Sequence, residues 1–254
     1  MINKKIFKFY KLREIEGWIK QVILKGNSLG EYLIFFVTNY TEVYSNKYAK
    51  TGKTDGFDFG LKNFLISSDG EKIDSPLFLN KDLKKLRNKS RNFFKKIKGS
   101  NNRRKAREDL ARLHIQITKK RDDWQWKLAD RLVREYDIMF FEDLNMNGMK
   151  KLWGRKISNL SLSSFLKKLE HLCLKMGKKI VKIGRFQKST GVCPSCNHKV
   201  KLELSDRDWS CVCGLFNDRD IASGLVINKF GHQLLNESES DCDDISHCSI
   251  ACWS

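Results

Sequence analysis

No stretch of this sequence approaches the ~18 consecutive apolar residues that a membrane span requires, so no transmembrane helix is predicted. Its first residues, Met1-Ile2-Asn3-Lys4-Lys5-Ile6-Phe7-Lys8, lack the apolar core of a secretory signal. No internal repeat is visible. Acidic residues are scarce beside basic ones: 30 Asp plus Glu face 49 Lys plus Arg, a net charge of +19. Such an excess points to a polyanionic partner, because each neutralised phosphate releases condensed counterions. An anionic membrane surface would instead call for a basic amphipathic helix or a long apolar anchor. The expectation is a cytoplasmic, nucleoid-associated protein that binds nucleic acid and has no membrane partner.

A length of 254 residues allows one large domain or two small ones, and 41% hydrophobic residues suffice for a core. Eight cysteines in a reducing compartment are better read as metal ligands than as disulfides wherever they cluster.

Along the chain, Trp18 to Leu24 and Tyr32 to Val37 read as two strands of a hairpin across a Gly-Asn-Ser turn. Gly56 to Ile66 reads as one strand-like run closed by Ser-Ser-Asp-Gly, with Glu71 to Asp74 as its hairpin return. From Lys81 to Arg121, 17 Lys plus Arg stand against Asp82, Glu108 and Asp109, a net of +14 over 41 residues. Within and beyond that stretch Ala106, Leu110, Leu113, Ile117, Trp124, Leu128 and Leu132 recur at three- and four-residue spacing, one face of a long amphipathic helix. A solvated charged face is the plainer alternative; charge of nearly one sign favours a surface turned to nucleic acid. Tyr136 to Phe141 is a buried-strand pattern ending in Glu142-Asp143, Leu160 to Met176 a second amphipathic helix with Cys173 in the core, and Lys179 to Ile183 another strand.

Cys193-Pro194-Ser195-Cys196 is followed after fourteen residues by Cys211-Val212-Cys213-Gly214. Two close thiolate pairs across a short polar hairpin suit tetrahedral Zn²⁺ at ~2.3 Å per bond. Cys193, Cys196, Cys211 and Cys213 are therefore the expected zinc ligands. A ribbon of this size has too little core to fold alone, which makes the zinc structural. His198 is a possible substitute ligand and better read as a surface residue. Cys242, Cys248 and Cys252 have no adjoining ligand pattern.

Three acids stand in or beside regular elements: Asp58 between two glycines, Glu142 at the end of an apolar strand, and Asp220 before the small-residue run Ile221 to Ile227. Converging carboxylates could hold a pair of Mg²⁺ ions, hard cations that prefer oxygen and that promote phosphodiester hydrolysis.

From about Lys53 to Ile227 the sequence resembles the TnpB family, insertion-sequence-encoded proteins related to the type V CRISPR nucleases. The resemblance rests on Gly56-Phe57-Asp58-Phe59-Gly60-Leu61-Lys62, on Phe141-Glu142-Asp143-Leu144-Asn145 and on Arg185-Phe186-Gln187-Lys188-Ser189-Thr190. It continues through Trp209-Ser210-Cys211-Val212-Cys213-Gly214 and Asp218-Arg219-Asp220. It implies an α/β, RNase H-like (RuvC) fold, a mixed sheet flanked by helices with an inserted zinc ribbon. It also implies RNA-guided DNA cleavage, with Asp58, Glu142 and Asp220 as magnesium-binding catalytic acids, structural Zn²⁺, and DNA and a guide RNA as partners. Asp218 is the rival of Asp220, which is preferred because it lies nearest the small-residue helix. The family usually has Asn two residues after the last acid; here that position is Ala222.

Only 57 residues precede Asp58, where the family has a long guide-binding region, so the chain reads as N-terminally truncated. The alternative reading is accordingly a catalytically inactive nucleic-acid-binding relic or regulator. The expected division is a β-rich remnant at 1–52, the nuclease domain at 53–190, the ribbon at 191–216, a last helix at 217–230 and an acidic disordered tail at 231–254.

Overall fold

A computed structural model describes residues 8–10, 14–39, 49–60, 62–144, 148, 151, 154, 160–184, 187–203 and 206–243, with side chains of the last helix described to Glu237. The chain forms two compact units, Met1–Val43 with Lys84–Gln116, and Tyr44–Leu83 with Ile117–Ser254.

The first unit holds the expected hairpin. Strands β1 (Ile19–Gly26) and β2 (Tyr32–Thr38) pair antiparallel, with Ile23 opposite Phe35 and Gly26 opposite Tyr32. Asn27 makes the turn: its side-chain oxygen accepts the N–H groups of Leu29 and Glu31, a local bond that favours reversal over extension. The basic segment is broken into two helices, α1 (Phe78–Lys95) and α2 (Asn101–Glu135). Ser100 ends the break as an N-cap, its hydroxyl accepting the Arg103 N–H at 3.2 Å. The predicted apolar face of α2 is observed, with Ala106, Leu113, Ile117, Leu128 and Leu132 buried.

The second unit is built on a five-stranded sheet of order β5-β4-β3-β6-β7. Its strands are β3 (Thr54–Asp58), β4 (Asn63–Ser67), β5 (Lys72–Asp74), β6 (Ile138–Glu142) and β7 (Lys179–Ile183). The pairs β3–β4 and β4–β5 are antiparallel; β3–β6 and β6–β7 are parallel. The parallel neighbours need crossovers, which the helical segments before β6 and β7 provide. This mixed sheet with flanking helices is the RNase H-like arrangement that the resemblance implied.

Both faces of the sheet are covered. On one, Phe57, Leu65 and Phe141 pack with Leu128, Ala129 and Leu132 of α2 and with Phe165 and Leu169 of α3 (Leu162–Met176). On the other, Phe140 and Ile183 pack with Ile227 of α4 (Arg219–Asp243). Two glycines let α4 approach closely. A Cβ on Gly56 would lie 2.4 Å from both the Asn228 nitrogen and the Gly224 oxygen, and one on Gly231 would enter the Phe140 ring. The ribbon adds a two-stranded sheet of β8 (Asp208–Ser210) and β9 (Phe216–Asp218). Among the described residues no helix is long and apolar enough to cross a membrane.

Two expectations need correcting. The run from Gly56 to Ile66 is two antiparallel strands rather than one, because the chain reverses after Asp58 and β4 returns beside β3, with Phe57 opposite Ser67 and Asp58 opposite Ile66. The last helix does not give way to a disordered tail near residue 230. It continues to Asp243, because Phe230, Leu234 and Leu235 extend the face that packs on the sheet. Residues 244–254, with Cys248 and Cys252, and the side chain of Cys242 lie outside the described residues.

Candidate functional site

Parallel pairing of β3 with β6 puts two acids at one end of the sheet. The register sets Phe57 opposite Phe141, so the next residues, Asp58 and Glu142, end the two strands side by side. The third acid comes from the helix held against β3 by Gly56 and Gly224: Asp220 lies in the first turn of α4. Burial pushes the Asp58 carboxyl up, and the nearby charges of Glu142 and Asp220 push it further, to about 8. Glu142 is also raised by burial. The fold thus brings the three carboxylates named from sequence within electrostatic reach of one another.

The choice between Asp218 and Asp220 has a structural basis. Asp218 ends β9 as the N-cap of α4: its Oδ1 accepts the N–H groups of Asp220 at 2.9 Å and Ile221 at 3.1 Å. Its Oδ2 takes the Lys72 ammonium at 2.6 Å. Although burial opposes it, these donors hold the Asp218 carboxyl below its usual range. Both oxygens of Asp218 are therefore engaged, and the acid that faces Asp58 electrostatically is Asp220.

Three neighbours were not visible in the sequence reading. Arg207 approaches Asp220 at 3.6 Å and Arg219 approaches it at 3.3 Å. The Arg219 N–H also donates to the Arg207 carbonyl at 2.7 Å, which ties the ribbon to the start of α4. Ser189, just before the ribbon, donates its hydroxyl to Glu142 Oε1. Arg219 and Ser189 stand in the quoted family blocks and could have been singled out there; Arg207 carries no signal outside the folded ribbon.

The four ribbon cysteines converge with all sulfurs within 4.8 Å of one another. Cys193 lies 3.7 Å from Cys213, and Cys196 3.4 Å from Cys211. A tetrahedral zinc with ~2.3 Å bonds needs sulfur separations of roughly 3.8 Å, so the donor set fits that ion. Turns aim the sulfurs inward: the Asn197 N–H donates to the Cys193 carbonyl, the Gly214 N–H to that of Cys211, and Gly214 adopts φ +87°. Burial opposes charge at Cys193, yet the N–H groups of Cys196 and Ser195 hold its thiol at about 7. At Cys211 the Cys213 N–H also favours the thiolate, but burial and the adjoining thiols push it up to about 12. Thiols this close need a cation between them before all can ionise. His198 is exposed, is not part of the cluster and lends only its carbonyl to the Cys193 N–H. Ala222 is buried against Cys193, Trp209 and Cys211, so this position serves the joint between α4 and the ribbon.

Comparison with known proteins agrees with this architecture. Residues 36–152 match the OrfB_IS605 family model, described as "Probable transposase", and residues 163–227 match one described as "Cas12f1-like, TNB domain". A Streptomyces pristinaespiralis protein named "Putative RNA-guided DNA endonuclease" is 35% identical over 195 residues, 73% of this chain and 48% of that protein. The TnpB-like protein L79 of Acanthamoeba polyphaga mimivirus is 28% identical over 235 residues, 84% of this chain and 43% of that protein. The chain spans about half the length of these curated relatives. Among solved structures, the Cas12f1-sgRNA-target DNA complex superposes with TM-score 0.50 at 14% identity, over 82% of this chain and 55% of that one, a likeness of fold. Matched in chain order by both family models and by relatives along most of its length, the chain belongs to the TnpB family.

Proposed function

We propose that this chain carries the nuclease site of a transposon-associated, RNA-guided DNA endonuclease, with Asp58, Glu142 and Asp220 as its magnesium-binding catalytic acids. The observation that carries this reading is the gathering of three acids, from β3, β6 and α4, at one end of an RNase H-like sheet where Asp58 is raised to about 8. Oxygen donors in a partly buried, like-charged group suit a hard divalent cation. When bound there, Mg²⁺ supplies an activated water and charge stabilisation for the leaving oxygen of a phosphodiester. The protein's share is to hold the carboxylates through the β3–β6 register and the α4 contact. Arg207 and Arg219 beside Asp220 offer guanidinium groups to a phosphate entering the site.

Zn²⁺ at Cys193, Cys196, Cys211 and Cys213 is structural in this reading, with no open position for chemistry. The basic faces of α1 and α2 bind the phosphates of DNA and of a guide RNA. The names of the relatives and the RNA- and DNA-bound state of the Cas12f1 neighbour support those partners and the guided mode.

The test is cleavage of labelled single-stranded DNA by purified, zinc-loaded protein with Mg²⁺, with EDTA, and by the Asp58→Ala variant. The expected result is cleavage that requires both Mg²⁺ and Asp58, while the variant keeps its fold and its DNA binding. No cleavage by folded wild-type protein would favour the alternative, a nucleic-acid-binding regulator that retains the carboxylates as ancestry. Sequencing the copurifying RNA tests guidance; random fragments would reject it for this chain.

A further inference from the structure

The short strap between β7 and the ribbon touches two of the three acid-bearing elements. Just beyond Ile183, the Gln187 N–H donates to the Gly184 carbonyl at 2.9 Å. The strap then reaches the end of β6, where Ser189 is only 3% exposed and its hydroxyl donates to Glu142 Oε1. The next residue, Thr190, sets its hydroxyl 3.4 Å from that of Ser223, which donates to the Arg219 carbonyl in the first turn of α4. One dipeptide therefore contacts the side chain of one acid and the helix turn that presents another.

A glutamate at a strand end has three torsions to fix, and a single fixed donor on one oxygen removes most of that freedom. We infer that Ser189 is a positioning residue, holding Glu142 Oε1 so that the other carboxylate oxygen is left for the divalent cation shared with Asp58 and Asp220. This rests on the nuclease reading above. Two features of the contact set it apart from incidental packing. A buried hydroxyl is costly unless it is bonded, and here its acceptor is one of the three acids rather than a nearby carbonyl. The residue after the donor, Thr190, also meets Ser223 in the α4 turn that presents Asp220. Partners of this kind, one bond removed from the cation, usually contribute about 10–100-fold to metal affinity.

The experiment is Mn²⁺ binding to the full, zinc-loaded chain, read from the electron paramagnetic resonance signal of free Mn²⁺, with no substrate and no turnover. Ser189→Ala is expected to weaken binding by about 10–100-fold while zinc content and thermal midpoint stay at wild-type values. Ser189→Thr, which keeps the hydroxyl, is expected to restore the affinity. In a Glu142→Gln background, Ser189→Ala is expected to cause no further loss, because its effect runs through that carboxylate. Equal affinity in wild type and Ser189→Ala overturns the inference, as does an equal loss with and without Glu142. Absence of any Mn²⁺ binding by the folded wild type overturns the nuclease reading and this inference with it, which separates the two failures.

Discussion

The molecule gathers two sets of ionisable side chains by opposite means. The cysteines of the ribbon come from two tight turns whose spacing is written in adjacent residues, Cys193 to Cys196 and Cys211 to Cys213. The carboxylates come from Asp58, Glu142 and Asp220, brought together only by a parallel strand pairing and a helix laid across it. A locally built set should fail as a fold, and a set built by topology should fail as chemistry. The largest expected effect follows: Cys196→Ser removes a ligand from a site whose binding energy is folding energy, on the order of 10 kcal/mol for small zinc domains. Zinc content should fall to background and soluble yield should drop with it. Asp58→Ala should leave both unchanged. A Cys196→Ser protein with full zinc content would count against the ligand set.

The same contrast explains what was legible beforehand. The ribbon could be read from spacing alone, since a turn of three or four residues fixes where its sulfurs point. The strands and helices could largely be read from periodicity, and the buried faces of α2 and α3 follow it. The reversal at Phe59-Gly60 could not, because β3, Thr-Asp-Gly-Phe-Asp, carries no apolar alternation that would mark where it ends. The three acids could be named from family blocks, whereas the contacts that serve them depend on folding. Asp218 as N-cap, Arg207 beside Asp220 and Ser189 on Glu142 each join residues whose meeting no local pattern encodes.

The second prediction tests whether topology is what assembles the carboxylates. Gly56→Ala would drive a Cβ to within 2.4 Å of backbone atoms of Asn228 and Gly224, neither of which can rotate away. Overpacking of this kind costs about 1–3 kcal/mol. For a chain of this size that lowers the thermal midpoint by roughly 2–4 °C per kcal/mol. Cleavage should fall further than stability, since α4 must shift and Asp220 with it. Wild-type stability in this variant would mean that α4 is not seated as described.

Asp137 sharpens the comparison further, because it is a carboxylate whose partners the protein itself supplies. Burial opposes its charge, yet the Lys178 ammonium and the N–H groups of Thr51 and Gly52 hold it at about 2. Its folded pKa lies below the unfolded value of 3.8, so its stabilisation is complete above about pH 4 and is lost as pH falls towards 2. Asp137→Asn should therefore be less stable than wild type at neutral pH and should converge with it in acid, measured by denaturant midpoints across that range. At Asp58 the Phe59 N–H and the Arg219 charge pull the same way, but burial and the charges of Glu142 and Asp220 outweigh them. Adding Mg²⁺ at pH 8 should raise the thermal midpoint of wild type and leave Asp58→Asn where it was.

The smallest expected effect probes the joint between the two sites. Lys229 of α4 donates to the Pro194 carbonyl at 3.2 Å and to Asn197 Oδ1 at 3.0 Å, both in the first zinc turn. These bonds are partly exposed, so Lys229→Met should cost no more than about 1 kcal/mol. Zinc should stay bound, because no ligand has changed. If the ribbon only decorates the sheet, cleavage should follow the small loss of stability. If it steadies the helix turn that presents Asp220, the Mg²⁺ concentration for half-maximal cleavage should rise while zinc content stays constant. Ala222 packed against Cys193 and the Arg219 N–H on the Arg207 carbonyl favour the second outcome, since both join the ribbon to that same turn of α4. A locally folded site would then be acting as a brace for one that no local sequence could build.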